Sequence, residues 1–195
     1  MRLVKLFLIF VLFSFCFTSC IRHSLIQYYG TGEGGIRLKK PKKFKYNREQ
    51  FANINRLKID TTSIYRIVEW YDGWRGGVLA DSLRPQGTLR FFASGEVLFY
   101  EHNKPLDSLV NNSLSGTPGY YMIEGNKIKI HRFKRTNRGQ LEKYFGILKN
   151  DGTIKFYEQS VIHCNGSYKC LEKQNMYSTW KKTDTFKLKY FKLNW

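Results

Sequence analysis

Between Thr88 and Gln159 the chain repeats one phrase three times: a run suited to a β-strand, a glycine-bearing turn, and a second such run. Thr88 to Ala93 and Glu96 to Glu101 flank Ser94-Gly95. Tyr120 to Glu124 and Lys127 to Phe133 flank Gly125-Asn126. Leu141 to Lys149 and Thr153 to Gln159 flank Asn150-Asp151-Gly152. Turns this short join antiparallel neighbours. In Lys127 to His131 polar and apolar residues alternate, so Ile128 and Ile130 share one face, toward a core. His131 then falls with Lys127 and Lys129 on the solvent face. Ser63 to Tyr71, Tyr177 to Lys181 and Phe186 to Leu193 supply further strands, about nine in all. Aromatic residues make up 16% of the chain, which suits pleated, half-buried surfaces. A meander of this kind must manage two open edges, and closure into a barrel removes them. The expected fold is all-β: an antiparallel up-and-down meander forming an eight- or nine-stranded barrel. An open sheet or a sandwich is the alternative. One short N-terminal helix is expected over residues 47–58. Asn47 caps it, and Phe51, Ile54 and Leu57 share a face.

The N-terminus reads as an address rather than as part of that domain. Arg2 and Lys5 precede an uncharged apolar run from Leu6 to Phe17. The run is about a dozen residues, whereas a bilayer span needs roughly twenty. These are the proportions of a signal peptide. The segment ends Phe17-Thr18-Ser19-Cys20, which resembles the lipobox of bacterial lipoproteins, with Phe17 in place of the usual aliphatic residue. The resemblance implies cleavage after residue 19 and acylation of Cys20 by palmitate-type chains. Several acyl chains anchor a protein durably. It also implies a cell-envelope address, on the outer membrane facing the periplasm, because Ile21 stands where an inner-membrane retention signal has aspartate. An ordinary signal peptide or an uncleaved anchor is the alternative. The expected organisation is a signal peptide at 1–19, a lipid-anchored tether at 20–46, and one β-rich domain at 47–195.

Charge bears on partners. The chain carries +18, and loss of Arg2 and Lys5 leaves about +16. Arg37, Lys39, Lys40, Lys42, Lys43 and Lys45 crowd the tether, where a basic segment can rest on anionic headgroups or serve only as a solubilising spacer. An envelope address makes the membrane, anionic lipid and cell-wall polymer the expected partners and leaves out nucleic acid. Oligomeric state is not legible. Gly30, Gly32 and Gly35 match a dinucleotide fingerprint. They lead into a lysine run and Pro41 rather than a helix, so that reading is rejected.

The four cysteines are 16, 20, 164 and 170. If Cys16 leaves with the leader and Cys20 is acylated, Cys164 and Cys170 remain to form a disulfide. Closing so short a loop contributes roughly 2 kcal/mol. A metal site using His163 is the rival, but no second pair of ligands lies near.

No catalytic motif is present: neither G-x-S-x-G nor H-E-x-x-H occurs, and the carboxylates are scattered. No catalytic residue, cofactor or metal is expected. The most suggestive segment is EWYDGWRGG, where Trp70, Tyr71, Trp74 and Arg75 could bind a sugar or an acyl chain at a barrel mouth. The bland alternative is a strand end whose tryptophans plug the barrel. The run HRFKRTNRG at 131–139 reads as a basic hairpin tip, with Lys134, Arg135 and Arg138; it could contact phosphates, and a solvated turn is the alternative. The rhythm of FFASGEV, YYMIEGNKIKI and YFGILKNDGTIKFY resembles the meanders of lipocalin-like bacterial lipoproteins, without the Gly-x-Trp signature of many lipocalins. That resemblance implies a non-enzymatic binding module for a small apolar or amphipathic ligand. The competing expectation is a structural or interaction protein of the envelope, with a plugged barrel and a basic surface.

Overall fold

A computed structural model describes residues 28–33, 35–38, 59–73, 76–80, 86–100, 106–134, 140–157, 164, 167–173, 176–183, 187–191 and 193. Cys20, most of the tether, the helix expected over 47–58, Trp74 and Arg75 lie outside them.

Strands β1 (Tyr28–Gly30) and β2 (Ile36–Leu38) pair as a small separate hairpin. The main sheet comprises β3 (Ile64–Asp72), β4 (Gly77–Val78), β5 (Thr88–Phe91), β6 (Glu96–Tyr100), β7 (Thr117–Glu124), β8 (Lys127–Lys134), β9 (Gln140–Leu148), β10 (Ile154–Tyr157) and β11 (Met176–Thr183). From β5 to β11 each strand pairs antiparallel with the next. β3 pairs with both β5 and β11, which closes an eight-stranded barrel. β4 adds a short strand to the end of β3. The up-and-down barrel expected from the sequence is therefore the fold, and closure leaves no long unpaired edge.

The two ends of the barrel differ. At one end the connections are tight: Phe92–Gly95, Gly125-Asn126 and residues 149–153. The last of these shows why its sequence turns. Gly152 sits at φ +78°, a left-handed conformation that a β-carbon disfavours, and the Asp151 carboxylate accepts from the Thr153 amide at 2.9 Å. At the other end the connections are long. Residues 101–116 contain α1 (Leu106–Val110), and residues 158–175 contain α2 (Tyr168–Lys173).

Inward-facing residues fill the tight-turn half. Tyr65, Phe91, Val97, Tyr121, Ile123, Ile128, Leu148 and Ile154 form one buried cluster, joined by Ile59 from the segment leading into β3. Asp60 fastens that segment: its carboxylate accepts from the Thr62 amide, the Thr62 and Ser63 hydroxyls and Lys182. Burial acts to raise its pKa, but these hydrogen bonds win and hold it at about 2.

The outer face of the barrel is also partly covered. Phe145, Tyr157 and Leu171 pack beneath α2, together with a Cys164–Cys170 disulfide. On the other side Ile64, Leu98 and Tyr100 pack against Leu109 and Val110 of α1 and against Leu193. Here the structure corrects the sequence: residues 187–191 and 193 form no strand. β3 and β11 already pair with each other, so the seam of the barrel is closed to another strand. The tail lies across the barrel instead. The Arg90 guanidinium donates to the carbonyls of Val110 and Lys189, and stacks on Phe191 at 4.5 Å. Arg37, expected among the exposed charges of the tether, is instead buried and makes a second clamp. Only 4% exposed, it donates to the carbonyls of Ser113, Ser115 and Gly116, fixing the β1–β2 hairpin to the segment before β7.

His131 is a second correction. It shares the outward register of Lys127 and Lys129, as expected, but is only 2% exposed. The outer face is not solvent along this stretch. Phe133, two residues on, is fully buried and carries the ring of Tyr28 at 5.3 Å.

Candidate functional site

The long-connection half of the barrel is hollow. A cavity of about 460 Å³ is lined by residues that include Ile67, Trp70, Gly87, Phe99, Arg132, Tyr144, Phe156 and Trp180. That size falls in the range of roughly 300–1,000 Å³ common for small-molecule sites.

A β-bulge aims the first of its tryptophans. Trp180 pairs with Ile67, but Thr179 pairs with Glu69, so Val68 is an extra residue in β3. Without it, Glu69 and Tyr71 would follow Ile67 toward the interior. With it, Trp70 does. Val68 is displaced outward and is 39% exposed. Trp180 lies edge-on to Phe156 at 6.0 Å, and its indole N–H donates to the Ser178 hydroxyl at 2.8 Å. The indole's one polar group is thereby used, and the ring presents an apolar wall. Gly87 permits this approach: a β-carbon there would come within 3.2 Å of the Trp180 ring.

The opposite wall is polar. Arg132 falls in register with Ile128 and Ile130, so its guanidinium points inward. It lies 4.7 Å from the Phe99 ring centroid and donates to the Tyr144 hydroxyl at 3.3 Å. Tyr144 donates in turn to Glu142 at 3.0 Å, and Lys134 contacts the other Glu142 oxygen at 2.6 Å. Burial raises the Tyr144 pKa, and the Glu142 carboxylate adds to this against the pull of Arg132. The phenol therefore keeps its proton at neutral pH.

Of the residues singled out in the sequence, Trp70 lines the cavity and Tyr71 does not. Tyr71 faces outward and stacks on Tyr177 with ring centroids 5.1 Å apart. Trp74 and Arg75 lie outside the described residues, as does Cys20. Cys164 and Cys170 are bonded, with Cα atoms 5.3 Å apart, on the outer face rather than at the cavity. Sequence reasoning missed Arg132, Tyr144 and Trp180. For Arg132 a signal existed: counting by twos from Ile128 reaches it. It was hidden because HRFKR reads first as a cluster of surface charge. Among the described residues no three His, Cys, Asp or Glu side chains gather as metal ligands.

Fold and site together define a class: a closed eight-stranded up-and-down β-barrel, packed at one end and hollow at the other. No family, no characterised protein and no solved structure matches the chain.

Proposed function

We propose that this chain is a lipid-anchored envelope protein whose barrel binds a small apolar or amphipathic ligand. The hollow half of the barrel carries the reading. A barrel built only as a support would gain by filling that space, since each empty pocket forfeits packing. Removing a ligand's apolar surface from water against these rings contributes roughly 25 cal/mol per Å². Arg132 and Tyr144 set hydrogen-bonding groups beside the apolar rings of the lining, which suits an amphipathic ligand.

The test uses a dansyl-tagged fatty acid and the purified protein. Saturable binding is expected, with loss of at least tenfold in affinity for Ile67→Trp, whose bulk enters the cavity. Binding that survives this change in a folded variant, or no binding by the parent, would overturn the reading.

The address is tested separately. The parent should incorporate labelled palmitate in cells and Cys20→Ala should not. Undiminished labelling of the variant would sink the anchor. An anchored chain would bring the basic tether against anionic lipid or cell-wall polymer, and its attachment should outlast high salt because acyl chains are not screened.

A further inference from the structure

We infer that the hollow end of the barrel lies against an anionic lipid bilayer, with the β1–β2 hairpin at the contact. This rests on the envelope address proposed above and adds which end of the barrel meets the membrane. Pairing of Tyr28 with Leu38 brings the chain into the hairpin and out of it at one place. That place is the rim of the hollow half. The Tyr28 ring rests on Phe133, one residue from the end of β8, and Arg37 fixes the hairpin to the residues just before β7. Cys20 stands eight positions before Tyr28, so an anchor there lies at most about 29 Å from the rim. Lys39, Lys40, Lys42, Lys43 and Lys45 follow directly after Leu38, and Glu33 is the one acid in residues 28–46. Anchor and lysine run thus start side by side, and the lysines complement anionic headgroups. Apolar exposure points the same way. Tyr29, Leu114 and Val78 are each half or more exposed. Leu114 touches the hairpin, its carbonyl accepting from the Thr31 hydroxyl. Val78 stands on β4 at the end of β3, three strands from β7 in the barrel. The three therefore sit around the rim rather than along one wall. The tight turns at the packed end expose no large apolar side chain among the described residues. A cell-wall polymer would engage the lysines but leave the apolar rim in water, whereas a bilayer interface takes both.

The experiment places the purified protein on phosphatidylglycerol vesicles and reads amide hydrogen exchange. Exchange in residues 28–38 and 111–116 should slow at least tenfold, while the turns at 93–95, 125–126 and 150–152 should keep the rates they have without lipid. Vesicle binding of the Cys20→Ala chain, which takes no acyl group, measures the surface itself. Tyr29→Ser and Leu114→Ser should each weaken it roughly fivefold, the worth of burying half of such a side chain. Tyr190→Ser, at the most exposed of the large apolar residues but on the tail beside Phe92, should leave it unchanged. Changing the five lysines to glutamine should weaken it by roughly fivefold per lysine at low salt. Slowed exchange at the tight turns instead, or none confined to the hollow end, would overturn the inference while labelled palmitate at Cys20 still upheld the anchor. Slowing at the hairpin in a chain that takes no label would sink the anchor and keep the inference. Attachment to purified cell-wall sacculi, with none to vesicles, would overturn it in favour of the polymer.

Discussion

Phe91→Ala should destabilise the barrel by about 3–5 kcal/mol, toward the upper end of that range. Phe91 is fully buried at the centre of the inward cluster, edge-on to Tyr65 at 5.3 Å and to Tyr121 at 5.0 Å. The cost of such a truncation depends on how far the surroundings can collapse into the hole. Here they cannot collapse far, because both neighbouring rings are tied by their hydroxyls. The Tyr121 hydroxyl donates to the Phe92 carbonyl at 2.8 Å, and the Tyr65 hydroxyl accepts from the Asp60 amide at 3.0 Å. Moving either ring would break its hydrogen bond, a fully buried one at Tyr121, and add to the loss. Urea denaturation of parent and variant measures the difference. A loss under about 1 kcal/mol would contradict the packing of the closed half.

The same half of the molecule was the most legible in the sequence. Its strands announce themselves by period two, and its turns by Gly95, Gly125 and Gly152, all at positive φ. The hollow half was harder to read, and the reasons are local. Val68 looks like one more strand residue, yet as the bulged residue it exchanges Trp70 for Tyr71 on the inner face. A bulge leaves no mark in a simple alternation count. Helices α1 and α2 span five and six residues, too few for a 3.6-residue period to show. The alternation in FKLKYFKL does predict a strand, but whether a strand forms depends on a free edge elsewhere in the fold. Arg132 and His131 mislead in opposite directions. Both read as surface residues, because a charge or a histidine beside lysines usually is one. One points into the cavity, and the other is buried on an outer face that further chain covers.

Stability should fall as pH drops from about 6.5 to about 4, and His131 should account for most of the fall. Burial lowers its folded-state pKa from the ordinary 6.5 to about 4, and the charges of Lys129 and Lys143 push it the same way. On acidification the unfolded chain therefore takes up this proton first. The His131 contribution is undiminished above 6.5, declines through the window between the two values, and levels off below about 4. The full difference corresponds to roughly 3 kcal/mol, and the side chain is too deeply buried for solvent to screen much of it. Asp60 contributes in a different window and to a smaller extent. Its folded pKa of about 2 lies below the ordinary 3.8, so its stabilisation is lost only as pH falls through that lower range. Its hydrogen bonds from Thr62 and Ser63 lower the value most, and because the carboxylate is partly exposed, solvent screening limits the effect to under about 1 kcal/mol. The two windows separate the groups. His131→Gln should flatten the profile between pH 6.5 and 4 while leaving the decline below pH 4 in place. Denaturant midpoints across this range decide the matter, and a parent profile already flat down to pH 4.5 would show that the imidazole is not held neutral by burial.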